Sequence, residues 1–257
     1  KKIKFLSYIY SSETDTFSVR PRINWSPRRR GVRKAQDVKN MEQLKIHIQD
    51  YPVTKRTLAS ILMGTVHDPL QLMAPYVNNI KLIYRDLCRM NTVNTSWDEG
   101  VPEKIKDRLE EALKHFFNME QVEFQRKAVF IQAKEIVFKI YFDGSKEGIG
   151  VSVLVKSILP SNEEIFRLLC NKTKLVGDSV NTAPRSELCA CLVSSRIYTI
   201  INEQLTTFLE QFKGKVSFQI IGDSMIVLNQ IKKNSYNFNT YAAARIQEIR
   251  ESTLGYN

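Results

Sequence analysis

The spacing of apolar residues changes twice along the chain, and each change predicts a change of structure. Residues 5–10 and 16–19 are rich in aromatic and β-branched side chains and flank a polar stretch, a pattern typical of a β-hairpin. Further along, apolar residues repeat at helical spacing in three segments, which begin at Thr54, Pro75 and Pro102. Because threonine can cap a helix and proline suits a first helical turn, the middle of the chain is predicted to be helical.

A strand-rich pattern replaces the helical one at residue 135. The predicted elements are strands over 136–142, 149–155 and 164–169, a helix over 184–210, a strand over 216–221 and a short helix after Ser224. The inward candidates of the long helix are Leu188, Leu192, Ile197 and Ile200. The order β-β-β-α-β-α predicts an α/β fold, a mixed sheet with flanking helices, preceded by a smaller, mainly helical segment with an N-terminal β-hairpin. We place the domain boundary between 1–130 and 131–257.

Three acidic residues stand where these predicted elements begin or end. Asp143 closes the first strand of the second half, Glu187 lies in the first turn of the long helix, and Asp223 closes the fourth strand. If the first and fourth strands are parallel neighbours, both aspartates emerge at one sheet edge, and a helix start packed there would add Glu187. Three carboxylates gathered in one place repel one another, and such a cluster binds hard divalent cations through oxygen ligands.

Each acid also has an ordinary structural explanation. Asp143-Gly144 is a common hairpin-turn pair, Glu187 suits the positive end of a helix dipole, and Asp223 can cap the next helix. The joint placement of all three at element ends, inside a basic protein, favours a common site.

The chain is basic, with 38 Lys and Arg against 27 Asp and Glu and a formal net charge of +11. Such a surplus favours polyanionic partners, nucleic acid before an acidic membrane surface. The excess is concentrated in residues 20–34, the basic arm, which contains Arg28, Arg29 and Arg30 and no acid. The arm is either a solvated linker or a surface that contacts phosphates.

The remaining composition narrows the class of protein further. No apolar run reaches the ~20 residues of a membrane helix, and the first residues lack the apolar core of a signal peptide, so an intracellular protein is predicted. The cysteines show neither Cys-x-x-Cys spacing nor neighbouring histidines, which predicts buried free thiols instead of a zinc site or disulfides. They are Cys88, Cys170, Cys189 and Cys191.

The segments around the three acids resemble those of one retroelement family. Three motif blocks of the RNase H-like domain in BEL/Pao retrotransposons are similar to Phe142-Asp143-Gly144-Ser145, Pro184-Arg185-Ser186-Glu187-Leu188-Cys189-Ala190 and Gly222-Asp223-Ser224. The second block is the most specific. Residues 241–246 look like a further block of that family, with Ala244 in place of its asparagine.

The first half resembles the same Pol polyprotein. The family's segment that joins polymerase to RNase H is similar to Thr54-Lys55-Arg56, Asp68-Pro69-Leu70 and Trp97-Asp98-Glu99, and its primer-grip hairpin is similar to Phe5-Leu6 with Tyr8. Ser7 and Gln71 stand where the family usually has glycine. The resemblance therefore implies that residues 1–130 are the end of a reverse transcriptase. No Tyr-x-Asp-Asp-like motif occurs, so this piece is not expected to synthesise DNA.

The resemblance implies an RNase H-like fold and hydrolysis of the RNA strand of RNA–DNA hybrids. Asp143, Glu187 and Asp223 would hold two Mg²⁺ ions, with Mn²⁺ as a substitute and no small-molecule cofactor. The implied partners are an RNA–DNA hybrid or primer-template duplex and the rest of the polyprotein, and no membrane is expected. The implied location is the cytoplasm, virus-like particles or the nucleus. The resemblance also implies a fourth carboxylate, an aspartate beyond the arginine block, and no aspartate follows before Asn257, so inactivity of the isolated fragment is one expected outcome.

Ten residues are candidates for contact with nucleic acid, through phosphates or through 2′-hydroxyl groups. They are Arg28, Arg29, Arg30, Lys55, Arg56, Ser145, Asn171, Lys172, Lys174 and Arg245. Ordinary loop and strand-end roles are the alternative for those between Ser145 and Lys174.

Two other functions are compatible with the same fold. A decayed or host-adopted copy would be a catalytically inactive nucleic-acid-binding or scaffold remnant, although the three intact acids disfavour decay. A transposase or integrase uses a similar acid cluster, but the block at 184–190 and the upstream helices argue against it.

Overall fold

The computed structural model describes residues 2–5, 8–25, 36–64, 68–90, 96–177, 180, 182–233 and 237–254. The chain folds as two compact units, Lys1–Arg126 and Lys127–Asn257. Arg28, Arg29 and Arg30 of the basic arm lie outside the described residues, so their predicted contact with phosphates stays a prediction.

The first unit combines a four-stranded and a two-stranded antiparallel sheet with α-helices. Its strands are β1 (Lys2–Phe5), β2 (Tyr8–Ser11), β3 (Thr16–Val19), β4 (Ile23–Trp25), β5 (Gln36–Val38) and β6 (Glu123–Gln125), and its helices are α1 (Met41–Asp50), α2 (Lys55–Gly64), α3 (Ala74–Arg89) and α4 (Glu103–Asn118). Strands β2 and β3 form the predicted hairpin, which is confirmed. Strand β6 pairs with β3 from the far end of the unit, a long-range contact that local patterns do not reveal.

The three predicted helices of the first unit are confirmed as α2, α3 and α4. Their apolar stripes face inward, and the buried residues are Leu58, Ile61, Ile80, Ile83, Leu87, Ile105, Leu109, Leu113 and Phe116. Helix α2 is capped as its sequence indicated, because the Thr57 amide donates to Thr54 Oγ1 at 3.1 Å. Helix α1 was not predicted, since Leu44 is its one fully buried residue and the apolar stripe is correspondingly faint.

Asp68 connects the hairpin to the start of α3. Its carboxylate accepts hydrogen bonds from the Tyr8 hydroxyl at 2.5 Å and from the amides of Leu72 at 3.0 Å and Met73 at 2.7 Å. Burial, together with this hydrogen bond, raises the pKa of Tyr8. The Asp-Pro-Leu motif therefore has a structural role within the first unit.

The second unit is a mixed sheet flanked by helices, the RNase H-like fold. Its elements are β7 (Glu135–Gly144), β8 (Gly148–Ile158), β9 (Glu164–Leu175), α5 (Ala183–Gln204), α6 (Thr206–Gln211), β10 (Lys215–Ile221), α7 (Met225–Lys232) and α8 (Thr240–Leu254). The strand order is β10-β7-β8-β9, with β10 parallel to β7 and the other pairs antiparallel. The predicted parallel pairing of the first and fourth strands is therefore confirmed.

The core of the second unit lies on one face of this sheet. Every second residue of β7 from Ile136 to Phe142 is buried there, together with alternate residues of β8 from Ile149 to Val155. Helix α5 packs against this face through Leu188, Leu192 and their neighbours. The packing positions the first turn of α5 near the carboxyl ends of β7 and β10.

The long helix predicted over 184–210 is wrong in two respects. The structure divides it at Leu205 into α5 and α6, and Ile200, predicted to face inward, is 57% exposed. Apolar residues continue across the break, where Leu205 and Phe208 still pack against the core, so periodicity alone does not reveal the division.

Within the described ranges, no helix combines the length and the apolar character that crossing a membrane requires.

The prediction of buried free thiols is correct for only part of the set. All four cysteines are free, but Cys88 is exposed on α3 while Cys191 is buried. Burial raises the pKa of Cys191 to about 12 and that of Cys170 to about 11, so both thiols stay protonated at neutral pH. The exposure of Cys88 follows from its position just after Leu87, the last inward residue of its helix.

Candidate active site

Two of the predicted carboxylates lie at the same edge of the sheet. The parallel register ends with Tyr141 opposite Ile221, and Asp143 and Asp223 each stand two residues further along their own strands. Both aspartates are exposed, and they line one open pocket together with Ser152 of β8. The close approach of the two strand ends therefore brings the two acids to a common, solvent-facing place.

Gly144 brings the start of α5 to this edge. A Cβ atom built at Gly144 would lie 2.5 Å from the backbone nitrogen of Glu187 and 2.5 Å from the carbonyl carbon of Ser186. The backbone of β7 and the first turn of α5 are therefore in direct contact, one residue beyond Asp143. Only glycine permits so close an approach of two backbones.

Ser224 connects Glu187 to the third acid. Its hydroxyl donates to Glu187 Oε2 at 2.5 Å and accepts a longer bond from the Val227 amide at 3.4 Å, which caps α7. Because Ser224 follows Asp223 directly, this hydrogen bond fixes the Glu187 carboxylate beside the end of β10. On the other side, the Gly144 amide donates to Asp143 Oδ1 at 2.7 Å.

The three side chains suit a hard divalent cation in their chemistry. All three offer carboxylate oxygens, the donors that Mg²⁺ prefers, and they come from three different elements. Among the described residues, no three His, Cys, Asp or Glu side chains stand close enough together to hold a metal ion. A cation at this edge would have to draw the carboxylates inward from the positions that they occupy here.

The predicted contacts on the sheet divide between its two faces. Asn171 Oδ1 accepts from Ser152 Oγ at 2.8 Å, on the face that carries the pocket with Asp143. Lys172 and Lys174 pair with Val151 and Ile149, so they belong to the opposite face. The Ser145 hydroxyl lies in the β7–β8 turn, where it accepts from the Gly148 amide at 3.2 Å. Their role in binding nucleic acid stays a prediction.

Two predicted arginines already have neighbours that hold them. Arg56 Nε donates to Asp98 Oδ1 at 2.7 Å, and Lys55 of the same motif lies beside Trp97. Arg245 stacks on the ring of Tyr241, with its guanidinium carbon 3.6 Å from the ring centroid, and donates to the Tyr241 carbonyl at 2.7 Å. These contacts give both arginines a structural role, whatever else they bind.

Tyr241 packs the last motif block against the second one. Its hydroxyl lies 3.0 Å from Cys189 Sγ, and Arg185 of α5 lies 5.2 Å from its ring centroid. Burial, followed by the hydrogen bond with Cys189, raises the pKa of Tyr241 to about 12. The two segments that resemble family motif blocks are therefore in contact in the folded unit, one on α5 and the other on α8.

Two residues that organise this edge, Gly144 and Ser224, have roles that the sequence did not predict. The ordinary explanation of Asp143-Gly144 was a turn pair, that of Asp223 was a cap of the next helix, and Ser224 was not considered as a cap. The sequence Asp-Ser before a helix allowed either residue as the cap. The structure assigns the cap to Ser224, which leaves the Asp223 carboxylate in the pocket.

Replacement of Ser224 by alanine is expected to lower the free energy of unfolding by about 1–2 kcal/mol, because both the helix cap and the bond to Glu187 are lost. Urea unfolding followed by circular dichroism measures the change. Ser224→Thr keeps the hydroxyl and is the matched control. Equal stability of Ser224→Ala and the native chain would refute the role assigned to this hydroxyl.

Comparison with known proteins agrees with the fold. The family profile described as the Pao retrotransposon-like RNaseH-like domain matches residues 54–215, well over half of the chain. The match contains Asp143 and Glu187 and ends before Asp223. It also contains the helices α2, α3 and α4. The assignment of these helices to a reverse transcriptase therefore stays a prediction. A comparison with curated proteins finds no match. By the extent of the profile match, the chain belongs to the Pao retrotransposon-like RNaseH-like domain family.

Proposed function

We propose that the second unit is a divalent-metal-dependent nuclease that hydrolyses the RNA strand of RNA–DNA hybrids. The observation that supports this proposal is that the segments carrying the three acids approach one sheet edge. Asp143 and Asp223 line one pocket there, and the first turn of α5 with Glu187 is brought to the same edge by the contact at Gly144 and the bond from Ser224. The acids come from three elements separated along the sequence, so their meeting depends on the fold. Acidic residues at the solvent-open carboxyl edge of a sheet are a common feature of catalytic sites.

Electrostatics explain why this edge needs cations before it can accept nucleic acid. Three carboxylates repel the phosphates of an approaching strand, and repel one another, unless positive charge is placed between them. Mg²⁺ or Mn²⁺, when bound, would lower the pKa of a water and stabilise negative charge at the phosphate. The exposed Asp143 and Asp223 leave the pocket open to a strand of nucleic acid.

The neighbours of the acids act as positioning residues. Ser224 holds one oxygen of Glu187 in place through its 2.5 Å hydrogen bond, so that this carboxylate is oriented before any ligand arrives. Gly144 sets the short distance between β7 and α5, and its amide orients Asp143. Such preorganisation reduces the reorganisation that binding and catalysis would otherwise require.

Recognition of the substrate is assigned to the surface next to the pocket. Asn171 lies on the same sheet face as Asp143 and offers an amide that can contact a 2′-hydroxyl group, which distinguishes RNA from DNA. Ser145 follows Asp143 by two residues and is exposed. Lys55 and the basic arm would hold the primer-template duplex through phosphates, a contact without sequence preference.

Cleavage assays on the full chain test this function. A hybrid with labelled RNA is incubated with Mg²⁺, Mn²⁺ or EDTA, beside RNA and DNA duplexes of the same sequence. We expect the RNA strand to be cut in the hybrid alone, and only when metal is present. Cleavage that persists in EDTA would contradict the proposal.

A second measurement locates the metal independently of turnover. Fe²⁺ in place of Mg²⁺, with hydrogen peroxide as oxidant and ascorbate to regenerate the Fe²⁺, generates hydroxyl radicals that cut the polypeptide close to the bound ion. Fragments that end near Asp143, Glu187 and Asp223 are expected, and excess Mg²⁺ should suppress them. Cuts confined to other segments would overturn the assignment of the site.

A further inference from the structure

We propose that Trp97 and Lys55 form a binding site for an unpaired nucleobase and its phosphate in the first unit. The proposal extends the nucleic-acid partner of the proposed function to a second site. Trp97 is 47% exposed, although tryptophan is among the side chains that gain most from burial. The other tryptophan of the chain, Trp25, is fully buried.

The exposed indole is held in a fixed place by its surroundings. The Arg56 amide donates to the Trp97 carbonyl at 3.1 Å, and the Arg56 guanidinium makes two hydrogen bonds, of 2.7 and 3.4 Å, to the carboxylate of Asp98. On the far side of the loop, Thr54 forms an isolated bridge with Gly100. The loop that carries Trp97 is thus fastened to the start of α2 at several points, so the ring is preorganised for a ligand.

The cation beside the ring supplies the second half of the site. Lys55 Nζ lies 5.4 Å from the centroid of the Trp97 ring, and the Arg56 guanidinium carbon lies 5.7 Å from it. Asp98 is engaged by Arg56, and no ion pair holds Lys55 within the part of the chain that the structure describes. The Lys55 ammonium can therefore meet a phosphate next to a base that stacks on the ring. A fixed aromatic face with an adjacent cation is the arrangement that binds single-stranded nucleic acid.

The surroundings of the ring favour a nucleobase over a protein partner. A protein hot spot needs an apolar patch around its central aromatic residue. The side chains described beside the Trp97 ring are those of Lys55 and Arg56, and the described residues that flank it in sequence are the polar Ser96, Asp98 and Glu99. Within a duplex both faces of each base are covered by its neighbours in the stack. A single exposed ring therefore selects an unpaired or terminal base, such as one in a single-stranded template.

Intrinsic fluorescence of the full chain reports directly on this ring. Because Trp25 is buried, a short single-stranded oligonucleotide should quench the emission of Trp97 and protect it from iodide. An oligonucleotide of equal length with abasic positions retains the phosphates and should quench little. In Trp97→Phe the fluorescence change should disappear while most of the affinity remains, because phenylalanine still stacks.

Variants separate stacking from charge. Trp97→Ala should weaken single-strand binding by at least about fivefold, the lower end for the loss of one stacked base. Lys55→Gln should reduce the slope of log affinity against log salt by about one phosphate contact. Tyr51→Ala removes another exposed aromatic side chain of the same unit, 37% exposed, and should change neither quantity.

The outcomes also distinguish this site from the nuclease. Two results would overturn the proposal. In the first, Trp97→Ala binds the single strand with native affinity, and the Trp97 emission of the native chain stays unchanged at saturation. In the second, the abasic oligonucleotide quenches the native chain as strongly as the normal one. Binding of a partner protein at this ring would give the first of these results. Cleavage of the hybrid and its loss in Asp143→Asn are measured separately, so a failure of the nuclease leaves the fluorescence result interpretable.

Discussion

Replacement of Asp143 by asparagine is expected to reduce metal-dependent cleavage of the hybrid's RNA strand by at least about a thousandfold. The loss of a carboxylate that holds the metal removes several kcal/mol of transition-state stabilisation, and each ~1.4 kcal/mol is a factor of ten in rate. The amide has nearly the same shape, and its oxygen can still accept the hydrogen bond from the Gly144 amide. Asp143 is exposed, so the change of charge should cost little stability.

Single-turnover cleavage and fluorescence anisotropy of the same hybrid separate catalysis from binding. Affinity for the hybrid should stay the same or increase, because one negative charge next to the phosphates has been removed. Glu163→Gln makes the same change of charge in the β8–β9 turn, at the opposite end of the sheet, and should cleave as the native chain does. Native activity of Asp143→Asn would exclude the proposed metal site.

The sequence was informative about the aspartates because their positions follow from local patterns. Each stands at the end of a strand that its own apolar residues define, and the parallel pairing of β7 with β10 brings both to one edge. The α/β order of the second unit was predictable for the same reason, since the apolar spacing indicates its strands and its long helix, whereas the RNase H-like fold was implied by the resemblance of the motif blocks. The break at Leu205 was hidden because apolar spacing runs across it.

The sequence predicted Glu187 at this edge only on the condition that a helix start packs there, because that packing depends on contacts between distant segments. The start of α5 contacts the end of β7 because Gly144 packs closely against the α5 backbone. The local sequence of neither segment predicts this contact. The bond from Ser224 to Glu187 joins residues that are 37 positions apart. The contact of Lys55 with Trp97 is likewise visible only after α2 and the loop before α4 have folded together.

Replacement of Gly144 by alanine is expected to destabilise the second unit by roughly 1–3 kcal/mol, the usual cost of overpacking. The new methyl group would stand 2.5 Å from backbone atoms of Ser186 and Glu187. Backbone atoms cannot rotate away as the end of a side chain can, so the first turn of α5 must shift. The shift moves Glu187 away from the edge, and the affinity of the folded protein for Mn²⁺ should decrease with it.

Gly150→Ala provides the matched control for stability, because Gly150 pairs with Asp143 across β7 and β8 and no atom lies within 4 Å of an added Cβ. Alanine at that position should keep or slightly raise the free energy of unfolding, since it reduces the conformational freedom of the unfolded chain. Urea unfolding compares the two variants, and Mn²⁺ titration of Gly144→Ala is carried out below its unfolding transition. Reduced stability with native Mn²⁺ affinity would mean that the contact at Gly144 supports the fold without placing Glu187, whereas a loss of both would tie the metal site to this single approach of two backbones.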